Sequence, residues 1–199
     1  MGSGEDAKRF LLHMRLIFNF VLSPLYAWGA FLTDKPIGWE FAMGFVAFHV
    51  FLYGGTNMFN SYYDRDEGPI GGLEQSPPVD SGLLWGSLLL KAIGLLMALP
   101  LGWALPLGWE FSLCYGTFLL YSVAYSHPTI RVKRRPLLSV VTVFLGQGLV
   151  GFAAGWTANG NTIQQLARST PLLAMLGGAL LTTGIYPLTQ LYQIAEDEH

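Results

Sequence analysis

Residues 37–64 read IGWEFAMGFVAFHVFLYGGTNMFNSYYD, an apolar run that ends in amides, two tyrosines and a carboxylate. A helix needs about 20 mostly apolar residues to cross a bilayer, and this run supplies them before its polar end. Tyr53, Asn57, Asn60 and Asp64 recur at intervals of four, three and four residues, so a helix places them on one face. Amides that face lipid find no hydrogen-bond partners. This face is therefore predicted to line a protein interior or a wet cavity.

The remaining sequence has the same apolar character. Of its 199 residues, 52% are hydrophobic and 12% charged, which is too apolar for one water-soluble domain. Six apolar runs are each predicted to form a membrane-spanning helix, at residues 10–33, 37–59, 83–105, 106–126, 137–157 and 171–193. The short loops between them leave no room for a separate soluble domain. The predicted fold class is all-α, a multi-pass transmembrane helical bundle.

The placement of basic residues predicts the orientation of this bundle. If the N-terminus is cytoplasmic, the cytoplasmic segments contain most of the loop Lys and Arg residues: Lys8, Arg9, Arg65, Arg131, Lys133, Arg134 and Arg135. The outer loops then contain only Lys35 and Arg168. Because positive charge concentrates on the cytoplasmic side of membrane proteins, we expect the N-terminus and the charged motifs there. Arg15, in the first run, is expected to reach water at that end.

The sixth run repeats the polar stripe of the second. Tyr186, Gln190, Gln193 and Asp197 have the same spacing of four, three and four residues. Two helices are therefore predicted to point polar faces with terminal carboxylates toward the same side of the membrane. The fifth run contains several glycines, including the small-xxx-small pattern of GFAAG at residues 151–155, which predicts close helix packing.

The carboxylates and amides suit a magnesium ion. Mg²⁺ usually takes one or two carboxylates, waters and the oxygens of a bound phosphate. The predicted half-sites are Asp64 with Asp66 or Glu67, and Asp197 with Glu196.

A basic run on the same face complements an anion. Arg131, Lys133 and Arg134 are suited to bind a diphosphate by charge and hydrogen bonds, although such runs also contact anionic lipid head groups. An anion site beside an apolar bundle implies a ligand with an oily tail, and a polyprenyl diphosphate is the obvious candidate. Breaking its allylic C–O bond yields diphosphate and a carbocation, which aromatic side chains stabilise.

Three motifs carry a resemblance to a known family. NMFNSYYDRDEGPIGG (57–72) looks like the first aspartate-rich motif of the UbiA-type intramembrane prenyltransferases, Asn-Asp-x-x-Asp-x-x-x-Asp at the end of the second helix. YPLTQLYQIAED (186–197) resembles the start of the second motif, and YSHPTIRVKRRP (125–136) resembles the basic loop between helices four and five.

The resemblance implies a helical ring around a laterally open cavity, with Mg²⁺ bound through both motifs. It also implies transfer of a prenyl chain from a polyprenyl diphosphate to an aromatic or lipid acceptor, among membrane lipids and with no nucleic acid. The residues carried over fall into three roles: catalytic Asn60, Asp64 and Asp197; diphosphate-binding Asn57, Tyr125, Arg131, Lys133, Arg134, Gln190 and Gln193; and metal-binding Asn60, Asp64, Asp66, Glu67, Glu196 and Asp197.

The sequence departs from the family pattern in three respects. Ser61 and Gly68 occupy positions where the first motif has Asp, and Gln193 stands where a carboxylate is often found. Members of the family typically have about nine transmembrane helices, whereas this chain stops at His199. We therefore expect one domain over residues 1–199, incomplete at its C-terminus.

Three other functions remain to be compared. A noncatalytic membrane scaffold or lipid-binding fragment of the same fold would not need metal-dependent diphosphate binding. A transporter would continue its polar residues across the bilayer, yet the outer halves of the second and sixth runs are mostly apolar. An alcohol phosphatidyltransferase would carry closely spaced Asp, Gly, Ala and Arg in its signature, and the sequence lacks that motif.

Overall fold

The structure is a computed structural model that describes residues 3–65, 73, 76–100 and 107–187. Within these ranges the chain folds into helices and contains no β-strand. The predicted all-α class is confirmed.

The first apolar run is broken twice. Helices α1 (Ser3–Met14) and α2 (Leu16–Val21) are separated by Arg15, which adopts the left-handed conformation at φ 48° and ψ 47°. A second break precedes α3 (Ser23–Phe31), and the axis bends by 48° there. Pro24 lies in the first turn of α3, where its missing N–H costs no hydrogen bond, although the same residue inside a helix would disrupt it.

The second run is continuous from its first turn to its carboxylate. It comprises α4 (Trp39–Phe45), a first π segment (Val46–Tyr53) and α5 (Gly54–Asp64). Arg65 ends α5 by adopting a left-handed conformation at φ 53°, and its N–H donates to the Ser61 carbonyl. The helix therefore runs past the apolar residues to Asp64, as the spacing predicts.

The other runs supply the remaining helices. They are α6 (Ser81–Ala98), α7 (Trp109–Ser126), α8 (Pro136–Val143), a second π segment (Phe144–Val150), α9 (Gly151–Ala158) and α10 (Ser169–Ile185). Two short 3-10 helices, Val132–Arg134 and Ile163–Ala167, lie in the loops before α8 and α10.

Not every apolar run has the length and composition of a typical span. Among the described residues, Ser81–Ala98 and Pro136–Ala158 are long and apolar enough to cross a membrane, and the bent pair formed by Gly4–Val21 and Ser23–Phe31 adds a third if it counts as one span. Ser169–Ile185 is apolar but shorter. The second and fourth runs also form helices, but polar residues interrupt them.

Asp80 fixes the start of α6. Its carboxylate accepts a hydrogen bond from the Leu83 N–H at 3.2 Å and forms an ion pair with Arg9 at 2.7 Å, which ties α1 to the loop before α6. Partial burial acts to raise the pKa of this carboxyl, but the hydrogen bond and the ion pair outweigh burial, so the pKa of Asp80 lies below its usual value.

An aromatic core lies between α3, the first π segment, α7 and α9. Phe48 is at its centre and packs edge-on against Phe111, Tyr115 and Phe118, with Tyr26 beside it. All five side chains are buried. Such aromatic pairs add about 0.5–1.5 kcal/mol each beyond the area they bury.

Glycines allow α3 and α9 to approach at backbone distance, as the small-residue pattern predicts. A Cβ on Gly155 would overlap the Tyr26 carbonyl, and a Cβ on Gly29 would overlap the Phe152 carbonyl. The second π segment contacts α10 in the same way, because Gly148 lies against Ala179. The close contact between α3 and α9 brings the first and fifth runs together at the end of the bundle remote from Asp64.

Candidate functional site

A cavity of about 890 Å³ lies inside the bundle. Its walls come from α2, α3, the end of the first π segment, α5, α7, the basic loop, α8, the second π segment and α10. One end, which we call the charged end, carries Asp64, Arg131 and Lys133. The rest of the wall combines polar side chains with many apolar ones, which include Phe18, Val21, Leu22, Leu25, Trp28, Phe118, Leu181 and Ile185. The cavity thus has an ionic end and a wall that also offers apolar surface.

Asp64 lies between two cations of the basic loop. Its Oδ1 atom contacts the Lys133 ammonium and lies 3.9 Å from Nη2 of Arg131. The three side chains are 13%, 21% and 27% exposed, in the order Asp64, Lys133 and Arg131. The charges are therefore partly shielded from water, where ion pairs are stronger than at a surface.

The local backbone explains why the basic loop turns back toward α5. Helix α7 ends at Ser126, two residues before Pro128, as expected from the conformational restriction that proline imposes. Arg131 then adopts a left-handed conformation at φ 41° and precedes the 3-10 turn Val132–Arg134. Arg134 also lines the cavity.

Asn57 and Asn60 both line the cavity, but each already has protein partners. Asn60 Oδ1 accepts a hydrogen bond of 2.6 Å from the Ser126 hydroxyl. The Asn57 amide donates to the Met14 carbonyl at 3.0 Å and to Asn19 Oδ1 at 2.8 Å. The hydrogen bond from Ser126 of α7 therefore holds the Asn60 side chain at the charged end. The hydrogen bonds of Asn57 instead stabilise the break in the first run beside Arg15.

Asn19 completes this support, which sequence analysis did not foresee. Its amide donates to the carbonyls of Met14, at 3.1 Å, and His49, at 3.0 Å. Two amides thus satisfy the Met14 carbonyl beside the Arg15 break. The sequence signal at this position is an asparagine inside a mostly apolar run.

Arg15 contacts α5 across the cavity. It lines the cavity, and its Nη2 donates to the Ser61 hydroxyl at 2.9 Å. Arg15 is also partly exposed, and its reach to water at the helix end stays a prediction.

Tyr186, the first member of the second predicted stripe, reaches the cavity. Its hydroxyl oxygen lies 2.7 Å from that of Tyr125, so a hydrogen bond joins α7 to the residue that follows α10. Both tyrosines line the cavity. The other predicted site residues of this stripe, Gln190, Gln193, Glu196 and Asp197, lie outside the described residues, as do Asp66 and Glu67.

The described donor set fits one part of a magnesium site. Asp64 supplies a carboxylate, and Asn60 lies one helical turn earlier on the same face with an amide oxygen. Within the described ranges no three His, Cys, Asp or Glu residues are grouped as for a full protein cage. Mg²⁺ commonly uses one or two carboxylates together with substrate phosphates, so this partial set is compatible with a metal that binds along with a diphosphate.

Comparison with known proteins gives one match. A sequence model described as the UbiA prenyltransferase family matches residues 21–199. No curated protein and no solved structure matches the chain.

Proposed function

This chain belongs to the UbiA prenyltransferase family, and on that premise we propose that it binds a polyprenyl diphosphate and Mg²⁺ and transfers the prenyl group to an aromatic or lipid acceptor. The family implies a membrane prenyltransferase in general terms. The substrates, the metal and the residues assigned to them are the proposal.

One observation carries the proposal: a carboxylate and two cations meet at one end of a cavity whose wall also contains many apolar side chains. A diphosphate with a hydrocarbon tail has the matching distribution of charge. In this proposal Arg131 and Lys133 bind the diphosphate oxygens, and Asp64 and Asn60 hold the metal. The apolar wall then accepts the prenyl chain at about 25 cal/mol for each Å² of apolar surface removed from water.

The reaction is a substitution at the allylic carbon. The C–O bond breaks and its electron pair leaves with the diphosphate, while the acceptor supplies the electron pair of the new bond and loses a proton to the released diphosphate or to water. When bound, Mg²⁺ supplies positive charge that stabilises the leaving group. Arg131 and Lys133 add to this stabilisation, and the rings of Phe118 and Tyr121 in the cavity wall are suited to face the developing carbocation.

The second half of the metal site is proposed from sequence. Asp197 and Glu196 follow α10, and the contact of Tyr186 with Tyr125 directs the end of that helix toward the charged end. We propose Asp66 or Glu67 as further ligands and Gln190 and Gln193 as diphosphate contacts. Residues 1–199 then form one domain, with its charged end and N-terminus on the cytoplasmic side.

The test is binding of a labelled polyprenyl diphosphate to the purified protein in detergent, with and without Mg²⁺. This measurement does not require the acceptor to be known. We expect Mg²⁺-dependent binding that Asp64→Asn and Asp197→Asn each weaken at least tenfold. Asp34→Asn makes the same chemical change at an exposed residue outside the cavity wall and should leave binding unchanged.

Two outcomes would overturn the proposal. A folded protein that binds no diphosphate would favour the noncatalytic scaffold. Binding that does not depend on Mg²⁺, or that Asp64→Asn leaves intact, would mean that the basic loop recognises the anion without a metal.

A further inference from the structure

The cavity has a floor where α3 contacts α10. On these two helices, the described wall residues farthest from the charged end are Leu25, Trp28 and Gly178, and we call these three residues the floor. A Cβ on Gly178 would overlap Cδ2 of Leu25 and lie 3.2 Å from the Trp28 ring. The two helices therefore touch at this level and leave no space for a further side chain.

The chain is closely packed on the far side of the floor. The Trp28 ring packs edge-on against Phe152, with ring centroids 6.1 Å apart, and the Phe152 side chain is fully buried. One residue further along α3, a Cβ on Gly29 would overlap the Phe152 carbonyl. Protein interiors packed at this density leave few voids, so a ligand chain that enters from the charged end either stops at the floor or leaves sideways.

The cavity wall is open on the side between α2 and α10. Val21 on α2 and Leu181 and Ile185 on α10 line the cavity, yet they are 68%, 66% and 59% exposed, in that order. Side chains that line a cavity and are also exposed mark the rim of an opening. All three are apolar, which suits a rim that meets the hydrocarbon of a membrane.

The depth of the floor below the charged end can be compared with the length of a prenyl chain. Gly178 precedes Tyr186 by eight residues, or about 12 Å of helix. The Tyr186 hydroxyl contacts that of Tyr125, at the end of α7 that leads into the basic loop. Each isoprene unit lengthens an extended chain by four carbon–carbon bonds, or about 5 Å. Two units therefore fit above the floor, and the third reaches it.

We propose that Leu25, Trp28 and Gly178 limit the enclosed part of the prenyl chain to its first two or three isoprene units, and that longer chains turn outward between α2 and α10. This inference rests on the proposed function and specifies the prenyl chain for the same cavity. Enclosed units pack against protein atoms and gain dispersion contacts, whereas units beyond the opening stay in lipid or detergent. Changes at the floor therefore affect chains of three or more units and spare shorter ones.

The first experiment locates the chain end in the unmodified protein. Geranyl and geranylgeranyl diphosphates, which have two and four isoprene units, are prepared with a photoreactive diazirine at the terminal carbon. They are irradiated on the protein with Mg²⁺ in detergent, and mass spectrometry of peptides maps the labelled sites. We expect the geranyl probe to label α3 and α10 beside the floor. The geranylgeranyl probe should label the rim of the opening and the detergent.

The second experiment changes the floor in opposite directions. Trp28→Ala removes a ring and deepens the cavity, and Gly178→Ala adds a methyl group against the Leu25 side chain. Kd values are measured with Mg²⁺ for dimethylallyl, geranyl, farnesyl and geranylgeranyl diphosphates, and each is divided by the value for the unmodified protein. Partition of the longer chains into micelles cancels in this ratio. The matched controls are Trp85→Ala, at an exposed residue outside the cavity wall, and Gly177→Ala, with open space around it.

We expect Trp28→Ala to tighten farnesyl and geranylgeranyl binding about three- to tenfold, because apolar ligands fill the apolar space that a lost side chain leaves. Gly178→Ala should weaken binding of the same two ligands about three- to tenfold, because the floor becomes overpacked. Both variants should leave dimethylallyl and geranyl binding unchanged, which also reports an intact charged end.

Two results would overturn the inference alone. One is a geranylgeranyl probe that labels residues beyond the floor, such as Phe152, and the other is a folded floor variant whose effect is the same for all four chain lengths. If a variant does not fold, the photolabelling of the unmodified protein decides the question. Absence of binding for every chain length, in a folded unmodified protein, would refute the proposed function and the inference with it.

Discussion

Replacing Lys133 with Met should change the affinities of the charged end for a divalent cation and for a diphosphate in opposite directions. Lys133 and Arg131 both face Oδ1 of Asp64. A divalent cation at Asp64 must bind against the repulsion of these two side chains, whereas a diphosphate is attracted by them. Removal of one positive charge therefore strengthens binding of the cation and weakens binding of the diphosphate.

The magnitude follows from the geometry of the ion pairs. The Lys133 ammonium contacts Oδ1 of Asp64, and unit charges about 4 Å apart interact by about 4 kcal/mol at an effective dielectric constant of about 20. Lys133 is 21% exposed and Asp64 13% exposed, so desolvation and screening offset most of this energy and leave about 1–2 kcal/mol. The corresponding change in each Kd is about five- to thirtyfold.

The assay titrates Mn²⁺, a spectroscopic substitute for Mg²⁺, by electron paramagnetic resonance and measures diphosphate binding in parallel. Arg135→Met is the control, because Arg135 belongs to the same basic run but is exposed and lies outside the cavity wall. If Lys133→Met leaves Mn²⁺ affinity unchanged or lowers it, while circular dichroism shows a folded protein, the reasoning is refuted.

Three further predictions concern stability. Lys91 is 3% exposed, and its ammonium lies 4.0 Å from the Phe59 ring with no hydrogen bond to any described residue. Because a buried charge is costly, Lys91→Met should raise the free energy of unfolding by about 1–3 kcal/mol. A lower thermal midpoint would contradict this prediction. Gly155→Val should lower the free energy of unfolding by about 3 kcal/mol or more, because the new side chain would overlap the backbone of α3. Gly116→Ala is the control and should not lower the free energy of unfolding, because the space around Gly116 is open. Because the pKa of Asp80 is lowered in the folded protein, its charge stabilises the fold at pH values above the unfolded-state pKa of about 3.9, and this stabilisation is lost as the pH falls through the folded-state pKa. The thermal midpoints of the unmodified protein and Asp80→Asn should therefore differ at pH 7 and converge in acid. A pH-independent difference would exclude a contribution from the charge.

Helical periodicity made part of the cavity predictable. Side chains three or four residues apart share a helix face whatever the rest of the chain does, so the positions of Asn57, Asn60 and Asp64 on one stripe could be read from their spacing. The structure places all three in the cavity wall. Their roles in binding metal and diphosphate stay predictions.

The conformation of Arg15 shows where such reasoning stops. Nothing in the sequence around it demands a left-handed residue, since neither glycine nor proline adjoins it. The break is supported by the amides of Asn19 and Asn57, the second of which is contributed by α5. Local pattern alone therefore predicts one continuous helix through Arg15. In the structure the helix is broken there, and hydrogen bonds from distant residues stabilise the break.

The sequence by itself determined that this chain forms apolar helices, which of their faces are polar, and to which family it belongs. Each of these properties depends on residue type and short-range spacing. The tertiary structure decided which polar groups meet. It brought the basic loop to Asp64 and joined α3 to α9 through glycines. These contacts link residues far apart in the chain, and they depend on how whole helices pack, which short-range spacing does not encode.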